Sequence, residues 1–352
     1  MLSLMEAIFT IIAFYVLIKF TDHYLSAKGY KGKASDHFSG SVFYSYGKKP
    51  IVDKQKGRTV RILKWLLSRE KHAWKWRNNS SYAKPAGRVE GDELVVTFIN
   101  HSTLLIQTQG LNILTDPIWS KRASPFSFLG PARSRDPGLA FEDLPPIDLV
   151  LISHNHYDHM DVETLARVRE LSDAPILAGL GNKEYLAARH ITNVHDMDWW
   201  DRFEVKGMTI VCAPGQHFSS RALSDRNMTL WCGFVIETKG GDIYFAGDTG
   251  YGPFTESIRS HYKKFRLAML PIGAFRPEWF MGPVHISPDQ AMHMHRELHV
   301  QTSIGIHHST FRLADDEQDE PRERILELVR QSDEPKPNFL VLDNGESAII
   351  PK

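Results

Sequence analysis

From residue 91 onward, short apolar runs alternate with amphipathic stretches. The runs at 94–99, 103–107, 112–115, 148–153, 208–213, 230–237, 242–246, 267–272, 303–307 and 339–342 are rich in β-branched and aromatic residues and predict strands. The spacing at 161–171, 182–189, 253–264, 288–298 and 321–331 predicts helices. Pro288 behind Ser287 marks a helix start, because proline's missing N–H is no loss in a first turn and serine accepts an amide there. Early hairpins followed by strand–helix alternation predict an α/β fold with two sheets covered by helices. No linker divides 91–352, which reads as one domain.

The N-terminus follows another pattern. Residues 7–18 are apolar apart from one Thr, and Glu6 is the only charge between Leu2 and Ile18. That run is at the short end of the roughly 17–25 residues that span a bilayer. Residues 1–20 therefore predict a membrane anchor. A cleaved signal ending near Leu25-Ser26-Ala27 and a buried helix are the alternatives. Lys19, Lys28, Lys31 and Lys33 follow the run, so the positive-inside rule keeps the body cytoplasmic.

Charge sharpens this division. Residues 21–90 hold 16 Lys and Arg against 5 Asp and Glu, whereas 91–352 hold 25 against 36. A basic arm of +11 precedes a body of −11. Beside an apolar anchor, such an arm points to an anionic membrane surface rather than nucleic acid. Within it, 61–77 places Trp65, Trp74 and Trp76 among Lys64, Arg69, Lys71, Lys75 and Arg77. That composition suits a membrane interface, or equally a helix packed on the body.

The chain has 352 residues and only two cysteines, Cys212 and Cys232, which excludes a disulfide scaffold and a Cys-rich zinc ribbon. Its 17 histidines are concentrated where strands end. After the apolar run 148–153 comes His154-Asn155-His156-Tyr157-Asp158-His159. In extended backbone His154 and His156 point to one side. The following turn re-aims Asp158 and His159, and Asp161 is placed to cap the next helix. Imidazole and carboxylate together suit zinc, with iron and manganese as alternatives. His217, Asp248 and His307 also follow strand-like runs. Five His and two Asp are too many for one tetrahedral ion. Two ions fit: His154, His156 and His217 on one, Asp158, His159 and His307 on the other, with Asp248 bridging and room left for water.

This layout resembles the metallo-β-lactamase superfamily. Longer strings are similar to its N-acyl-phosphatidylethanolamine-hydrolysing phospholipase D family: Thr115-Asp116-Pro117-Ile118, ArgAlaSerPro at 122–125, GlyPro at 130–131, LeuProProIleAsp at 144–148 and IleSerHisAsnHisTyrAspHis at 152–159. They continue with AspTrpTrp at 198–200, PheAlaGlyAspThrGlyTyr at 245–251, ProIleGlyAla at 271–274, TrpPheMet at 279–281 and GlyGluSer at 345–347. The resemblance covers about 90–350. It implies an αββα sandwich, two metal ions, and hydrolysis of N-acyl-phosphatidylethanolamine to phosphatidate and an N-acylethanolamine. It places Asp158 and His285 in catalysis. The chain departs from the family at His308, where animal members have Trp, and at Ser127 and Phe128, where they have Gln-Tyr; both changes are expected near the substrate groove.

A hydroxide shared by two metals forms near neutral pH and attacks phosphorus or a carbonyl carbon. The resemblance puts His285 where it is expected to help the reaction, donating to the departing alkoxide or to a phosphoryl oxygen, a surface-loop or supporting His being the alternative. Arg133 and Arg135 are candidates for phosphate, or are solvated loop residues. His101 reads as a neighbour of the ligands, and His293 and His295 as structural. The expected partner is a membrane phospholipid substrate on an anionic surface, without nucleic acid, and a homodimer stays open. The runner-up is a lactonase or related hydrolase of a soluble substrate; sugar-lactone hydrolases of the superfamily share segments like 100–103. A non-enzymatic membrane scaffold is the third class, and the complete donor set argues against it.

Overall fold

The computed structural model describes residues 4–47, 64, 65, 67 and 74–352. Helix α1 (Leu4–Leu25) comes first. Its segment Glu6–Leu25 is long and apolar enough, by length and composition, to cross a membrane, and none of it is buried. At 1.5 Å per residue, 20 residues reach about 30 Å, the thickness of a bilayer's hydrocarbon core. The alternative of a buried core helix therefore fails.

Two seven-stranded sheets follow. One contains β1 (Leu94–Asn100), β2 (Thr103–Thr108), β3 (Leu111–Thr115), β4 (Leu149–Ile152), β5 (Ile176–Gly179), β6 (Val194–Met197) and β14 (Ser347–Ile349), in the order β14-β1-β2-β3-β4-β5-β6. The other contains β7 (Arg202–Val205), β8 (Met208–Ala213), β9 (Gly233–Glu237), β10 (Ile243–Phe245), β11 (Phe265–Pro271), β12 (Val300–Ile306) and β13 (Asn338–Leu340), ordered β13-β12-β11-β10-β9-β8-β7. Leu94, Val96, Phe98, Phe234, Phe245 and Met269 are among the residues that fill the space between the sheets. Outside the first sheet lie α2 (Val162–Leu171) and α3 (Asn182–Ala187), which bury Leu165, Val168, Tyr185 and Leu186. Outside the second lie α4 (Phe254–His261), α6 (Pro288–Glu297) and α7 (Glu320–Gln331), with Phe254, Ile258, Met294 and Ile325 turned inward. A short helix, α5 (Glu278–Met281), precedes α6. This is the αββα layering expected: each sheet buries one face on the other and one on helices.

Strand direction gathers the chemistry. β3 to β6 are parallel, as are β10 to β13. β8 and β10 are each antiparallel to β9, so they run the same way. β1 likewise matches β3 through β2. The C-terminal ends of β1 and β4 thus point one way in the first sheet, as do those of β8, β10 and β12 in the second, and the side chains that follow them converge.

Residues before β1 also join the body. Phe38 and Phe43, inside the expected basic arm, are buried in the core between the sheets. Of the stretch 61–77, most lies outside the described residues. The Trp65 indole bonds Asp315, Trp74 donates to the Asp316 carbonyl at 3.2 Å, and Arg77 pairs with Asp319. These contacts fit packing on the body. Ser287 caps α6 as expected: it accepts from Gln290 N at 3.3 Å while the Gln290 side chain accepts from Ser287 N at 3.0 Å. Asp161 stands at the N-cap position of α2, but its carboxylate accepts from Ser120 N (3.1 Å) and the Thr164 hydroxyl (2.6 Å) instead of capping an amide.

Candidate metal centre

The seven side chains expected as ligands lie around one point. His154 and His156 leave the end of β4 and the turn after them brings in Asp158 and His159. His217 follows β8, Asp248 follows β10, and His307 follows β12. Their inward atoms fall into two sets. Nδ1 of His156 is 2.7 Å from Nε2 of His154 and 3.3 Å from Nε2 of His217. On the other side, Oδ2 of Asp158 lies 3.2 Å from Nε2 of His159 and 3.3 Å from Nε2 of His307. Oδ2 of Asp248 stands between, 3.1 Å from His159, 2.9 Å from His307 and 4.0 Å from His217.

Backbone geometry makes the convergence possible. Gly247, just before Asp248, has φ +59°, and a Cβ there would come 2.4 Å from Cβ of Ser153. Only glycine lets these two strand exits approach so closely. His101, Asp116 and His307 also take left-handed φ, at 49°, 32° and 61°. Such backbone is costly for residues with a Cβ and collects at functional sites.

Hydrogen bonds behind the cluster fix each ring. His159 donates from Nδ1 to Asp116 Oδ2 at 2.7 Å, and His217 from Nδ1 to the Val284 carbonyl at 2.8 Å. The Ser153 hydroxyl donates to Asp116 Oδ2 (2.6 Å) and so accepts from Nδ1 of His154 (2.9 Å). With Nδ1 committed in this way, Nε2 is the atom each ring turns inward, as a metal ligand needs. Gln216 N donates to the Thr249 hydroxyl (3.0 Å) and Gly250 N to the Gln216 carbonyl (2.7 Å), tying the exits of β8 and β10 together.

The electrostatics fit a cation. Burial and neighbouring imidazoles push His154 and His217 well below the usual histidine range, and burial takes His156 down to about 3. Three neutral rings thus aim nitrogen lone pairs at one another. Burial alone would raise the carboxyls of Asp158 and Asp248, but the imidazoles beside them, His159 first, outweigh it and hold both well down. Nε2 of His159 and Oδ1 of Asp248 are buried without a well-formed hydrogen bond. Stranded donor atoms and facing lone pairs are costly unless a cation gathers them. Imidazole with carboxylate is the donor chemistry of zinc, iron or manganese.

His285 also reaches the cluster. Its backbone N–H bonds the Met281 carbonyl at the end of α5, and Nδ1 lies 3.8 Å from Oδ2 of Asp248. Burial lowers its pKa to about 4, so the ring is neutral. His101 stands behind Asp158, Nε2 to Oδ2 at 2.9 Å.

Residues 111–308 match the Beta-lactamase superfamily domain. N-acyl-phosphatidylethanolamine-hydrolyzing phospholipase D 1 of Caenorhabditis elegans is 36% identical over 266 residues, 72% of this chain and 75% of that protein. The chain belongs to this phospholipase D family of the metallo-β-lactamase superfamily. The mitochondrial N-acyl-phosphatidylethanolamine-hydrolyzing phospholipase D of Saccharomyces cerevisiae is 34% identical over 66% of this chain and 51% of its own length. Among solved structures, an isothiocyanate hydrolase from Delia radicum gut bacteria superposes with a TM-score of 0.58 at 23% identity, over 73% of this chain and 99% of that one. That likeness speaks for the shared fold. The family is one of metal-dependent hydrolases, and the His and Asp cluster of this member has the donors to bind metal.

Several expectations within the family fold are corrected. Arg133 does not face a phosphate: it is buried and donates to the carbonyls of Ser120, Arg135 and Ile118. Arg135 is buried too, paired with Asp343 and bonded to Asn79 Oδ1 at 2.9 Å. His308 is not at an open groove; it is buried and stacked on Phe98, 5.1 Å between ring centres. His295 and His293 keep their structural reading: His295 is held by the Ser303 hydroxyl at 2.8 Å, and the His293 ring lies 5.4 Å from that of Tyr251. Asp116, quoted only inside a resemblance string, turns out to anchor His159 and Ser153. Its signal was its place at the end of β3, beside the histidine-bearing end of β4.

Proposed function

We propose that the protein is a membrane-anchored, metal-dependent phosphodiesterase that hydrolyses N-acyl-phosphatidylethanolamine to phosphatidate and an N-acylethanolamine. The observation that carries the hydrolytic part is the pair of donor sets meeting at Asp248. The substrate is supported by the likeness to the C. elegans enzyme of that name. Two zinc ions, or iron or manganese, would be held there: one by His154, His156 and His217, the other by Asp158, His159 and His307, with Asp248 shared. Bound metal supplies Lewis acidity at phosphoryl oxygens and acidifies water to a pKa of about 7.

The remaining work falls to the chain's own residues. Asp116 and the Val284 carbonyl hold the proton of His159 and His217 at Nδ1 and keep each Nε2 free. His101 holds Oδ2 of Asp158 in orientation. His285 is neutral and carries one N–H, which is available to donate a hydrogen bond to the departing oxygen or to a phosphoryl oxygen and so to stabilise charge building there. Helix α1 would cross the bilayer, and Lys19, Lys28, Lys31 and Lys33 at its end would keep the hydrolase cytoplasmic on an anionic surface.

The test uses vesicles of phosphatidylcholine carrying N-acyl-phosphatidylethanolamine, with products read by mass spectrometry. Phosphatidate and N-acylethanolamine should appear in equal amounts. Rapid cleavage of a soluble lactone with no phosphatidate formed would move the assignment to a lactonase or related ester hydrolase.

A further inference from the structure

We propose that a cavity at the C-terminal end of α1 binds the phosphate headgroup of an anionic phospholipid, separately from the metal centre. The inference rests on the reading of α1 as a membrane anchor. The cavity measures about 820 Å³ and lies between the last turns of α1, the segment 26–31, α3 and the loop around Ser224. That size suits a small-molecule or headgroup site.

Its charge is uneven. Lys19, Lys28, Lys31 and Arg189 line it, against two carboxylates, Asp22 and Glu184. Asp22 is already used: Oδ1 accepts from Leu223 N (2.7 Å) and Ser224 N (3.1 Å). Glu184 lies 3.8 Å from Lys28. Two positive charges remain in excess. Arg189 is the fixed one. It donates to the carbonyls of Tyr24 (3.0 Å) and Tyr185 (3.1 Å), and its guanidinium lies 3.5 Å from the centre of the Tyr185 ring. Among the described residues no carboxylate is within salt-bridge distance of it. A held, half-buried, unneutralised arginine is pre-organised for a phosphate oxygen.

The surroundings favour a lipid as the source of that phosphate. The exposed apolar surface of α1 leads into the cavity, so acyl chains can lie along the helix while the headgroup meets the cations. A zwitterionic headgroup brings its own cation and gains less from a positive wall. The site is also distinct from the hydrolytic one. Behind Arg189, Tyr185 contacts Arg221, whose guanidinium lies 3.8 Å from the Tyr157 ring centre and donates to the carbonyls of Asn155 and Met160. This layer of rings and guanidiniums separates the cavity from the metal motif.

The experiment takes the full-length chain in neutral detergent and counts bound phosphatidylglycerol or phosphatidylcholine by native mass spectrometry. Phosphatidylglycerol should be retained in preference. Lys31→Gln and Arg189→Gln should each weaken its binding roughly fivefold. Lys31 is exposed, so its variant reports even if Arg189→Gln folds poorly. Lys239→Gln, outside the cavity, should change nothing. Equal retention of the two lipids, or unchanged binding in Lys31→Gln and a folded Arg189→Gln, overturns the proposal. So does displacement of the lipid by inorganic phosphate at equal concentration, which would make free phosphate the ligand. His154→Ala should keep phosphatidylglycerol; its loss would place the lipid at the metal centre. Hydrolysis is measured on the same samples. A wild-type chain that retains phosphatidylglycerol but cleaves no N-acyl-phosphatidylethanolamine sinks the proposed function and leaves this cavity standing.

Discussion

Around Asp248, ionisable side chains are buried, with Asp158 only 8% exposed. Along α1, apolar side chains are open, Phe9 to 74% and Phe20 to 68%. Polar-inside and apolar-outside are the two informative exceptions to ordinary burial. Each calls for a partner of opposite character, a cation in one case and hydrocarbon in the other. They differ in how firmly the fold holds them. Every donor ring has a hydrogen bond or ring contact behind it, from loops at the ends of both sheets. The helix is tied down near its C-terminal end, by Asp22 to Leu223 and Ser224 and just beyond it by Ala27 N to Asp225 (2.8 Å). One region is over-determined by the protein, and the other is left to its solvent.

Removing the helix breaks the comparison most. Deleting residues 1–20 should move the protein from the membrane fraction to the soluble one, leaving a salt-sensitive remainder held by the basic arm. Membrane flotation in low and high salt reads this; a full-length chain that stays soluble would end the anchor reading. Within the cluster, His285→Ala should lower turnover by about 10²–10³-fold while metal content is unchanged, because the neutral ring donates a hydrogen bond to the developing oxyanion without being needed as a ligand. Metal lost from that variant would make His285 a ligand instead. Asp116→Asn should weaken metal affinity by about 10–100-fold, since the carboxylate that orients His159 is outside the donor set. Titration with a competing chelator measures it, and wild-type affinity would count against the supporting role.

The smallest effect concerns the segment that joins α1 to the core. His37 bonds Asp198 at 2.7 Å and Asp36 at 2.6 Å, and stacks on Trp199. Burial works against its charge, but the two carboxylates outweigh burial and raise its pKa above the usual 6.5. Its contribution is therefore fully present below about pH 6.5 and fades as pH rises through the raised value. His37→Gln should lower the melting temperature more at about pH 6 than at about pH 9; an equal loss at both would remove the charge from the explanation.

Much of the fold was readable because buried strands such as β11 are apolar at almost every position, and parallel strands covered on both faces must be. β5, β6, β7 and β14 were not predicted. β7 and β14 are edge strands with exposed positions, and β6 carries His195 and Asp196, so none needs a strong apolar pattern. β5 is only four residues long. The donors were legible because each is a polar residue just past an apolar run. Arg133 and Arg135 were misread because a Gly- and Pro-rich segment suggested solvent. That segment instead runs through the body, where the arginines satisfy its carbonyls and Asp343. The cavity beside α1 was invisible in one dimension, since Arg189 and Lys31 are far apart along the chain.

Elemental analysis of the purified full-length protein, set beside His154→Ala and Asp248→Ala, tests the central claim most directly. The wild-type chain should carry about two zinc-like ions, as two donor sets sharing one carboxylate require. Both variants should lose metal and hydrolysis together. Full hydrolysis by metal-free wild-type protein, or undiminished metal in both variants, would contradict the account.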